Sequence, residues 1–402
     1  MGIRIALRNI MRSPRRTLLS LAIISIGTGM LFAVSGFVSS ITDMITESTV
    51  EQYGNLQIAD TDYWERADER ELTLLDADRI TQLEAKLNEI PEVTGYSAQL
   101  SLTSQIQKGS ESSLLFGVGV DPANRILSGY EIVRGVDLQP GDRGKIVIGR
   151  LLADNLGVAP GDYVTLLIAT IRGAFNTGRL QVIGVFRGFE EFFEAQFAYL
   201  PIETAQLLLG TQSVDTLVVK LQDLGSTDAV IEQLADELSA SQLGVEAKPW
   251  HELASEYEQT IGMFDFILGA VSLGIFVLVF FSILEVLTMS FLERTREVGT
   301  LRAIGTKRKS VFRLFLTEGI LLGILGGILG IFVGLGLGVL VNHSGMGWTP
   351  PGALEEVPIL VTLVPASAAT PLLIALFSTL ISAIFPALYS SRIRVVDALR
   401  ST

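Results

Sequence analysis

Four stretches of the chain are almost unbroken apolar sequence: Leu18–Val38, Phe266–Leu284, Gly319–Val341 and Pro371–Tyr389. Each is close to the roughly 20 residues that a membrane-spanning helix needs. The segment between the first two has a different texture, with short apolar runs punctuated by polar turns. "SLLFGVGV", "KIVIG" and "LQVIGVF" read as strands, and Arg150–Leu156 and Arg79–Glu89 as helices, the latter ended before Pro91. "APGDYVTLLIA" is a turn at Pro160-Gly161-Asp162 feeding a strand. "FAYLPIETAQLLLG" reads as a strand leading into a short helix, with Pro201 near its start. "DTLVVKL" followed by "STDAVIEQLADEL" is strand, loop and helix, with Ser226 or Thr227 as the cap. There is no internal repeat. The fold class predicted is a membrane protein of four transmembrane α-helices, with a large α+β extracytoplasmic domain inserted between helices 1 and 2.

Helix signals extend past the apolar windows. "SSITDMITESTVEQYG" has no Gly or Pro before Gly54, and Glu252–Gln259 leads back into the second span, so both helices are expected to project as stalks. The organisation expected is a cytoplasmic amphipathic interfacial helix over 1–16, spans over 17–40, 261–290, 312–341 and 370–391, and the α+β domain with its stalks over 41–260. An inner connection covers 291–311, an outer loop 342–369 and a cytoplasmic tail 392–402. In "GIRIALRNIMRS", Ile3, Leu7, Ile10 and Met11 share one helical face and Arg4, Arg8 and Arg12 another. That suits a helix lying at the lipid interface, the alternative being a solvated basic tail.

Charge orients these segments. The 402 residues carry a net charge of −13. From Asp43 to Glu258 there are 35 acidic and 15 basic residues, whereas the rest of the chain has 8 acidic and 15 basic. Those outlying bases fall only within Arg4–Arg16, Arg294–Arg313 and Arg392–Arg400. Bases near spans stay on the cytoplasmic side. Hydropathy and charge therefore agree on cytoplasmic termini, an inner connection at Glu293–Ser310 and an outer domain at Asp43–Glu258. The first apolar run is longer than a signal-peptide core and has no clean cleavage pattern, so it reads as a retained anchor. With no cysteine the outer domain has no disulfides and the chain no lipidated N-terminal Cys; roughly 215 residues are enough to fold without them. The acidic domain is not drawn to anionic headgroups, and no nucleic-acid partner is expected.

The third span is rich in glycine. Gly319, Gly323 and Gly327 form one i, i+4 series, and Gly326, Gly330, Gly334 and Gly338 another. Small residues at this spacing let helix backbones approach closely in lipid, as candidate packing sites within this chain or across a dimer.

Catalytic patterns are sparse. Of two histidines, His251 opens "HELAS", where Ser255 stands in the second zinc-ligand position; His343 is remote in sequence. Neither a phosphate-binding loop nor a Gly-x-Ser-x-Gly motif occurs. No catalytic residue, metal site or cofactor is expected on this chain. Charges near span ends are costly unless satisfied. Asp265 and Glu318 read as boundary residues relieved by snorkelling or water, and Glu285, a turn further in, as a candidate to pair with an arginine of the inner connection.

That connection is the most distinctive stretch. "ERTREVGTLRAIGTKRKS" combines Glu293, Arg294, Arg296, Glu297, Gly299, Leu301, Arg302 and Gly305, with a turn at Gly305-Thr306 and the next helix from Lys307. A plain positive-inside loop would need the bases but not the acids and glycines. The stretch resembles the E-R-x-R-E-[IV]-G-x-[LM]-R-A-[IL]-G coupling segment of MacB/FtsX/LolC-type ABC transporter permeases, Val298, Ala303 and Ile304 matching as well. "FPALYSSRIRVVDALR" resembles the family's carboxyl end through Pro386, Ala387, Ala398, Leu399 and Arg400, with Val395 in place of a proline and Val396 beside it a second departure. "ALRNIMRSPRRTLLSLAIISIG", "VIGRLLADNLGVAPGDYVTLL" and "VIGVFRGFEEFFEAQFAYLPIETAQLLL" are similar to the family's first span and periplasmic domain, nearest its lipoprotein-releasing branch.

The resemblance implies an inner-membrane permease half with a two-lobed periplasmic domain, paired with a second copy or a paralogue. Its partners would be two ATP-binding subunits holding ATP and Mg, membrane lipid, and a lipoprotein or periplasmic carrier. Glu293 to Gly305 would couple ATP hydrolysis there to periplasmic movement that extracts lipid-anchored cargo. Mechanotransmission to an efflux partner or a cell-wall hydrolase is the alternative within the family, and a non-transporting scaffold or sensor the alternative outside it.

Overall fold

The computed structural model describes residues 14–65, 73–124, 130–188, 191–241, 243–349 and 356–392, together with Ala6, Arg8, Met11 and Arg12. Most of the expected interfacial helix over 1–16, and the tail with Ala398, Leu399 and Arg400, lie outside the described residues. In chain order the elements are α1 (Pro14–Tyr53), β1 (Leu56–Asp60), α2 (Ala77–Leu87), β2 (Val93–Lys108), β3 (Glu111–Val120), β4 (Glu131–Gly135), β5 (Lys145–Gly149) and α3 (Arg150–Leu156). Then come β6 (Tyr163–Ala169), β7 (Phe175–Arg187), α4 (Glu191–Gln196), β8 (Phe197–Pro201), α5 (Ile202–Leu209), β9 (Thr216–Leu221), α6 (Thr227–Ser241), β10 (Val245–Pro249) and α7 (Trp250–Leu253). The chain ends with α8 (Ser255–Glu293), α9 (Thr295–Ala303), α10 (Arg308–Ser344) and α11 (Ala369–Arg392). Among the described residues, α1, α8, α10 and α11 are long and apolar enough to cross a membrane. The chain is therefore a multi-pass membrane protein with an α+β unit between its first and second membrane helices.

Two compact units result. The α+β unit, Met44–Gln259 with Thr349–Val357, is built on a ten-stranded sheet in the order β10-β1-β9-β2-β3-β8-β5-β7-β4, β6 pairing with β2 and β7. The long strand β2 organises it. Its first half pairs with β9 through Gln99 and its second half with β3 from Gln99 to Lys108. One hydrophobic core gathers Leu56, Ile58, Leu83, Leu87, Leu217, Val219 and Leu234 from β1, β9, α2 and α6. A second gathers Leu102, Ile106, Leu115, Ile148, Leu152, Leu166, Val182 and Leu208 around α3 and α5. The composition of β2, "VTGYSAQLSLTSQIQK", hides it from a hydropathy scan. Ser, Thr and Gln hold alternate positions, and only Leu100, Leu102 and Ile106 supply full apolar burial in its second half.

The sheet's other face carries an aromatic cluster of Tyr130, Phe186, Phe193, Phe197 and Tyr199, with ring centroids 4.4–6.3 Å apart. Glu194 of α4 lies fully buried beside it. Burial raises its pKa from the ordinary 4.5, partly offset by Arg150, whose Nε donates a 3.0 Å hydrogen bond, and by the Gly188 N–H at 3.1 Å.

The membrane unit comprises Met1–Asp43, Thr260–Trp348 and Pro358–Thr402. Ile24, Val279, Ile283, Leu287, Leu322, Ala375 and Ala383 bring all four helices to one core. Serines tie helix to helix through backbone carbonyls: Ser25 to Gly326 at 3.1 Å, Ser378 to Phe276 at 3.0 Å and Ser382 to Phe280 at 2.8 Å. Such bonds contribute about 0.6 kcal/mol each on average, so packing decides the arrangement.

Candidate functional site

The connection between α8 and α10 is a short helix set off by two breaks. Arg294 leaves helical geometry at φ −105°, ψ 9°. At the other end Gly305 takes φ +102°, where a side chain would be strained, and α10 starts after Lys307. Thr295, Val298 and Gly299 form the buried face of α9, while Arg296, Glu297, Thr300 and Ala303 face outward. Val298 packs with Val311 and Phe315 of α10 and Ala387 of α11. Ile304, the last residue before the turn, is 77% exposed.

The charged residues of this connection are organised around it. Arg294 Nη1 donates to Glu318 Oε1 at 3.2 Å, and the Glu318 side chain is only 5% exposed. The same guanidinium lies 6.0 Å from the Phe315 ring centre and 3.4 Å from Glu297 Oε2. Two outlying arginines grip the other acids: Arg16 is bidentate to Glu293, and Arg12 Nη1 lies 2.9 Å from Glu297 Oε1. These two pairs are largely exposed, and exposed pairs contribute little, typically below about 1 kcal/mol. The Arg294–Glu318 pair is different. Removing one partner would take an opposite charge away from a group that is largely shielded from water.

Glu318 thus corrects the sequence reading. It is not relieved by snorkelling or boundary water but buried against Arg294, which the turn at Glu293-Arg294 brings back towards α10. Glu285 is exposed on α8 and has no ion-pair partner among the described residues, so the expected pairing with an inner arginine is absent there. Asp265 is also exposed. Of the remaining motif positions, Arg296 is exposed and Arg302 half-buried, and Leu301 lies within α9. Glu318 had one sequence signal: an acid among the first turns of an apolar run that follows an arginine-rich connection.

The glycines of α10 divide between two neighbours. A Cβ at Gly319 would fall 2.6 Å from Ala383 Cβ, one at Gly323 against Thr379, and one at Gly327 2.9 Å from Leu372 Cδ2, all on α11. On the other face, a Cβ at Gly326 would fall 2.7 Å from Ile24 Cβ, and one at Gly330 2.5 Å from Thr28 Cβ and 2.9 Å from the Ser25 oxygen. One at Gly334 would fall 2.7 Å from the Gly29 oxygen, again on α1. The first series therefore faces α11, and Gly326, Gly330 and Gly334 of the second face α1 of the same chain, while Gly338 meets Leu363 and Val361.

Among the described residues no group of three potential metal ligands occurs. His251 lies 3.5 Å from Asp228 and His343 contacts the Val339 carbonyl on α10.

A family model described as the MacB-like periplasmic core domain matches residues 17–237, more than half of the chain, and one described as the FtsX-like permease C-terminal matches 269–395. The chain belongs to the MacB/FtsX-type ABC permeases. Relatives of this permease include the macrolide export ATP-binding/permease protein MacB of Acinetobacter baylyi, 26% identical over 37% of this chain and 23% of that protein. The uncharacterized ABC transporter permease YvrN of Bacillus subtilis is 24% identical over 55% of this chain and 54% of its own. MacB 2 of Aeromonas hydrophila is 24% identical over 62% and 39%. The matches thus span between about a quarter and about half the length of these relatives. Among solved structures, the periplasmic region of MacB from Actinobacillus actinomycetemcomitans aligns at a TM-score of 0.39 and 18% identity, covering 51% of this chain and 94% of that one. The extracellular domain of the transporter YknZ from Gram-positive bacteria aligns at 0.34 and 14%, covering 44% and 89%.

Proposed function

We propose that this permease is driven by a separate ATP-binding subunit that docks on Glu293–Gly305, and that its membrane helices pass the movement to the α+β unit. The observation that supports this most is the buried Arg294–Glu318 pair. A docking helix joined only by flexible turns would swing without moving the bundle. Here α9 is held to α10 by an ion pair and by the Val298–Val311–Phe315 cluster, while Arg296, Thr300 and Ile304 stay exposed for a partner. In this reading Ile304 fills an apolar groove of the ATP-binding subunit, and the exposed bases Lys307, Arg308 and Lys309 flank it.

On the positive-inside rule α9 and both termini lie in the cytoplasm and the α+β unit on the opposite side, the periplasm if the membrane is the inner one that the family resemblance implies. ATP and Mg belong to two copies of the partner; this chain contributes no catalytic residue and no cofactor. A second permease copy or a paralogue completes the assembly. The cargo is a lipid-anchored molecule of the outer leaflet, a lipoprotein above all, by likeness of "VIGVFRGFEEFFEAQFAYLPIETAQLLL" to the lipoprotein-releasing branch. A second reading, small-molecule export, is favoured by relatives named for macrolide export.

The test is co-purification followed by reconstitution. An ATP-binding subunit should copurify with the wild-type chain and be released by Ile304→Glu, which leaves every internal ion pair intact. Absence of any such subunit, or unchanged ATPase stimulation in Ile304→Glu, would refute the docking. ATP-dependent release of a lipoprotein from proteoliposomes supports the first cargo; transport of a macrolide without lipoprotein release supports the second.

A further inference from the structure

The link between α10 and α11 contains a second feature that hydropathy alone passes over. Residues 358–364, "PILVTLV", run on from the short strand Val357–Pro358 without helical structure and are hydrogen-bonded back onto the membrane helices. Asn342, near the end of α10, uses its side-chain amide as a surrogate strand: Oδ1 accepts the Val361 N–H at 2.8 Å, and Nδ2 donates to the Val361 carbonyl at 3.0 Å. The Thr362 N–H donates to the Gly36 carbonyl of α1 at 3.0 Å, and the Ile359 N–H to the Met346 carbonyl at 2.9 Å.

Two glycines mark where this strap presses in. A Cβ at Gly36 would fall 2.6 Å from the Thr362 oxygen, and one at Gly338 would fall 2.5 Å from Leu363 Cδ2 and 3.2 Å from Val361 Cγ1. Both glycines lie within apolar helical sequence. Gly36 precedes the first charge beyond it, Asp43, by seven residues, about 10 Å along a helix. Gly338 precedes Asn342 by four, about 6 Å. Non-helical backbone at such a depth is tolerated where it is buried against protein. Here the Val361 N–H and C=O are taken up by Asn342 and the Thr362 N–H by the Gly36 carbonyl, so the inward side of the backbone lies on the helices and only side chains are left to the outer edge.

The remaining edge of the strap is apolar and open. Leu360 and Val364 are each 45% exposed, and nearby Met346 and Trp348 are 48% and 42% exposed. No Asp, Glu, Lys or Arg occurs from 357 to 391. We propose that 358–364 form a re-entrant strap embedded at the edge of the bilayer, with Leu360 and Val364 against lipid acyl chains. Lipid is the occupant that fits: the strap shares its depth with the ends of two membrane helices, lacks charge, and has its inward backbone groups already paired. Trp348, on the short strand Gly347–Trp348 that pairs with Val357–Pro358 at the start of the strap, suits the headgroup boundary, where such rings concentrate. The inference stands on the membrane helices alone and holds whether or not an ATP-binding subunit docks on α9.

The chain has no cysteine, so single-cysteine variants carry one label each. Nitroxides at Leu360→Cys and Val364→Cys in the full chain, reconstituted in phosphatidylcholine vesicles, should collide more with oxygen than with a water-soluble nickel chelate. Ser112→Cys, exposed on β3 and separated from the strap by two crossings, should show the reverse. Nickel accessibility at Leu360 and Val364 equal to that at Ser112 would overturn the proposal by making the strap a water-facing loop. Low collision with both reagents would overturn it by showing that protein covers the edge. Trp348 supplies a check without labels: with Trp64→Phe and Trp250→Phe, its fluorescence should be quenched by lipids brominated near the headgroup, and absence of quenching counts against the strap.

Discussion

Substituting the buried ion pair one side at a time, then both together, isolates what it contributes. Glu318→Leu takes from the Arg294 guanidinium, 22% exposed and beside Phe315, the more buried of its two carboxylate partners. Losing one member of a buried pair costs about 3–5 kcal/mol; because Arg294 keeps some exposure and a 3.4 Å contact with Glu297, about 2–3 kcal/mol is expected here. Arg294→Met removes an ion-pair partner from the less exposed member, Glu318 at 5%, so a larger loss is expected, about 3–5 kcal/mol.

The double variant, Arg294→Met with Glu318→Leu, replaces both charges by apolar groups of similar size beside Phe315, a member of the cluster with Val298 and Val311. Such replacements are commonly neutral, so the double variant should lie within about 1 kcal/mol of wild type, giving a strongly non-additive cycle. Reversible unfolding in bicelles by denaturing detergent would measure all four corners. Additive losses, or single variants costing under about 0.5 kcal/mol, would refute the description of this pair as buried and coupled.

Three further outcomes follow from single positions. Gly330→Ala should cost about 1–3 kcal/mol in the same unfolding assay because its Cβ meets Thr28 and the Ser25 carbonyl, whereas Gly336→Ala, with nothing within 4 Å, should be neutral or stabilising by up to about 1 kcal/mol. Gly305→Ala meets no atom within 4 Å but must hold φ +102°, so backbone strain alone should cost about 1–2 kcal/mol. Burial holds Glu194 above its ordinary 4.5, so the folded state binds its proton more tightly than the unfolded chain. The stability this confers is complete below about pH 4.5 and is lost as pH rises through the raised value. Thermal unfolding of wild type against pH should show that decline, and Glu194→Gln should remove it.

The parts of this fold that hydropathy reports were legible in the sequence, and the parts that depend on which residues meet were not. The four apolar runs stand out because lipid imposes length and composition together, and α3 falls on Arg150–Leu156 as read from local signals. The period of the α10 glycines was equally visible, but spacing carries no address: only the packed chain separates a face on α11 from a face on α1. Glu318 reads as a boundary residue from sequence, because depth there is counted along one helix. Its partner, Arg294, returns from 24 residues away across the turn before α9. The strap at 358–364 escaped for a related reason. Seven apolar residues are too few to span, and the feature that seats them, the Asn342 amide on Val361, is a contact rather than a composition.

These contacts converge on α10. At one end it holds α9 through Glu318, Val311 and Phe315; at the other it holds the strap through Asn342 and Gly338. Between them its glycines seat α11 on one side and α1 on the other, where a Cβ at Gly29 would fall 2.8 Å from the Gly330 oxygen. Long side chains at a helix interface can change rotamer and absorb a small displacement. Backbone packed on backbone has no such slack, because interfaces of this kind repack in discrete steps rather than deform continuously. A tilt imposed on α10 from the α9 end therefore displaces α1, which is unbroken to Tyr53. Under the proposed function, α10 rather than α8 is the member that carries the stroke. The spanning window of α8 is 11% buried within this chain against 28% for α10, so α8 has less through which a neighbour could pull it.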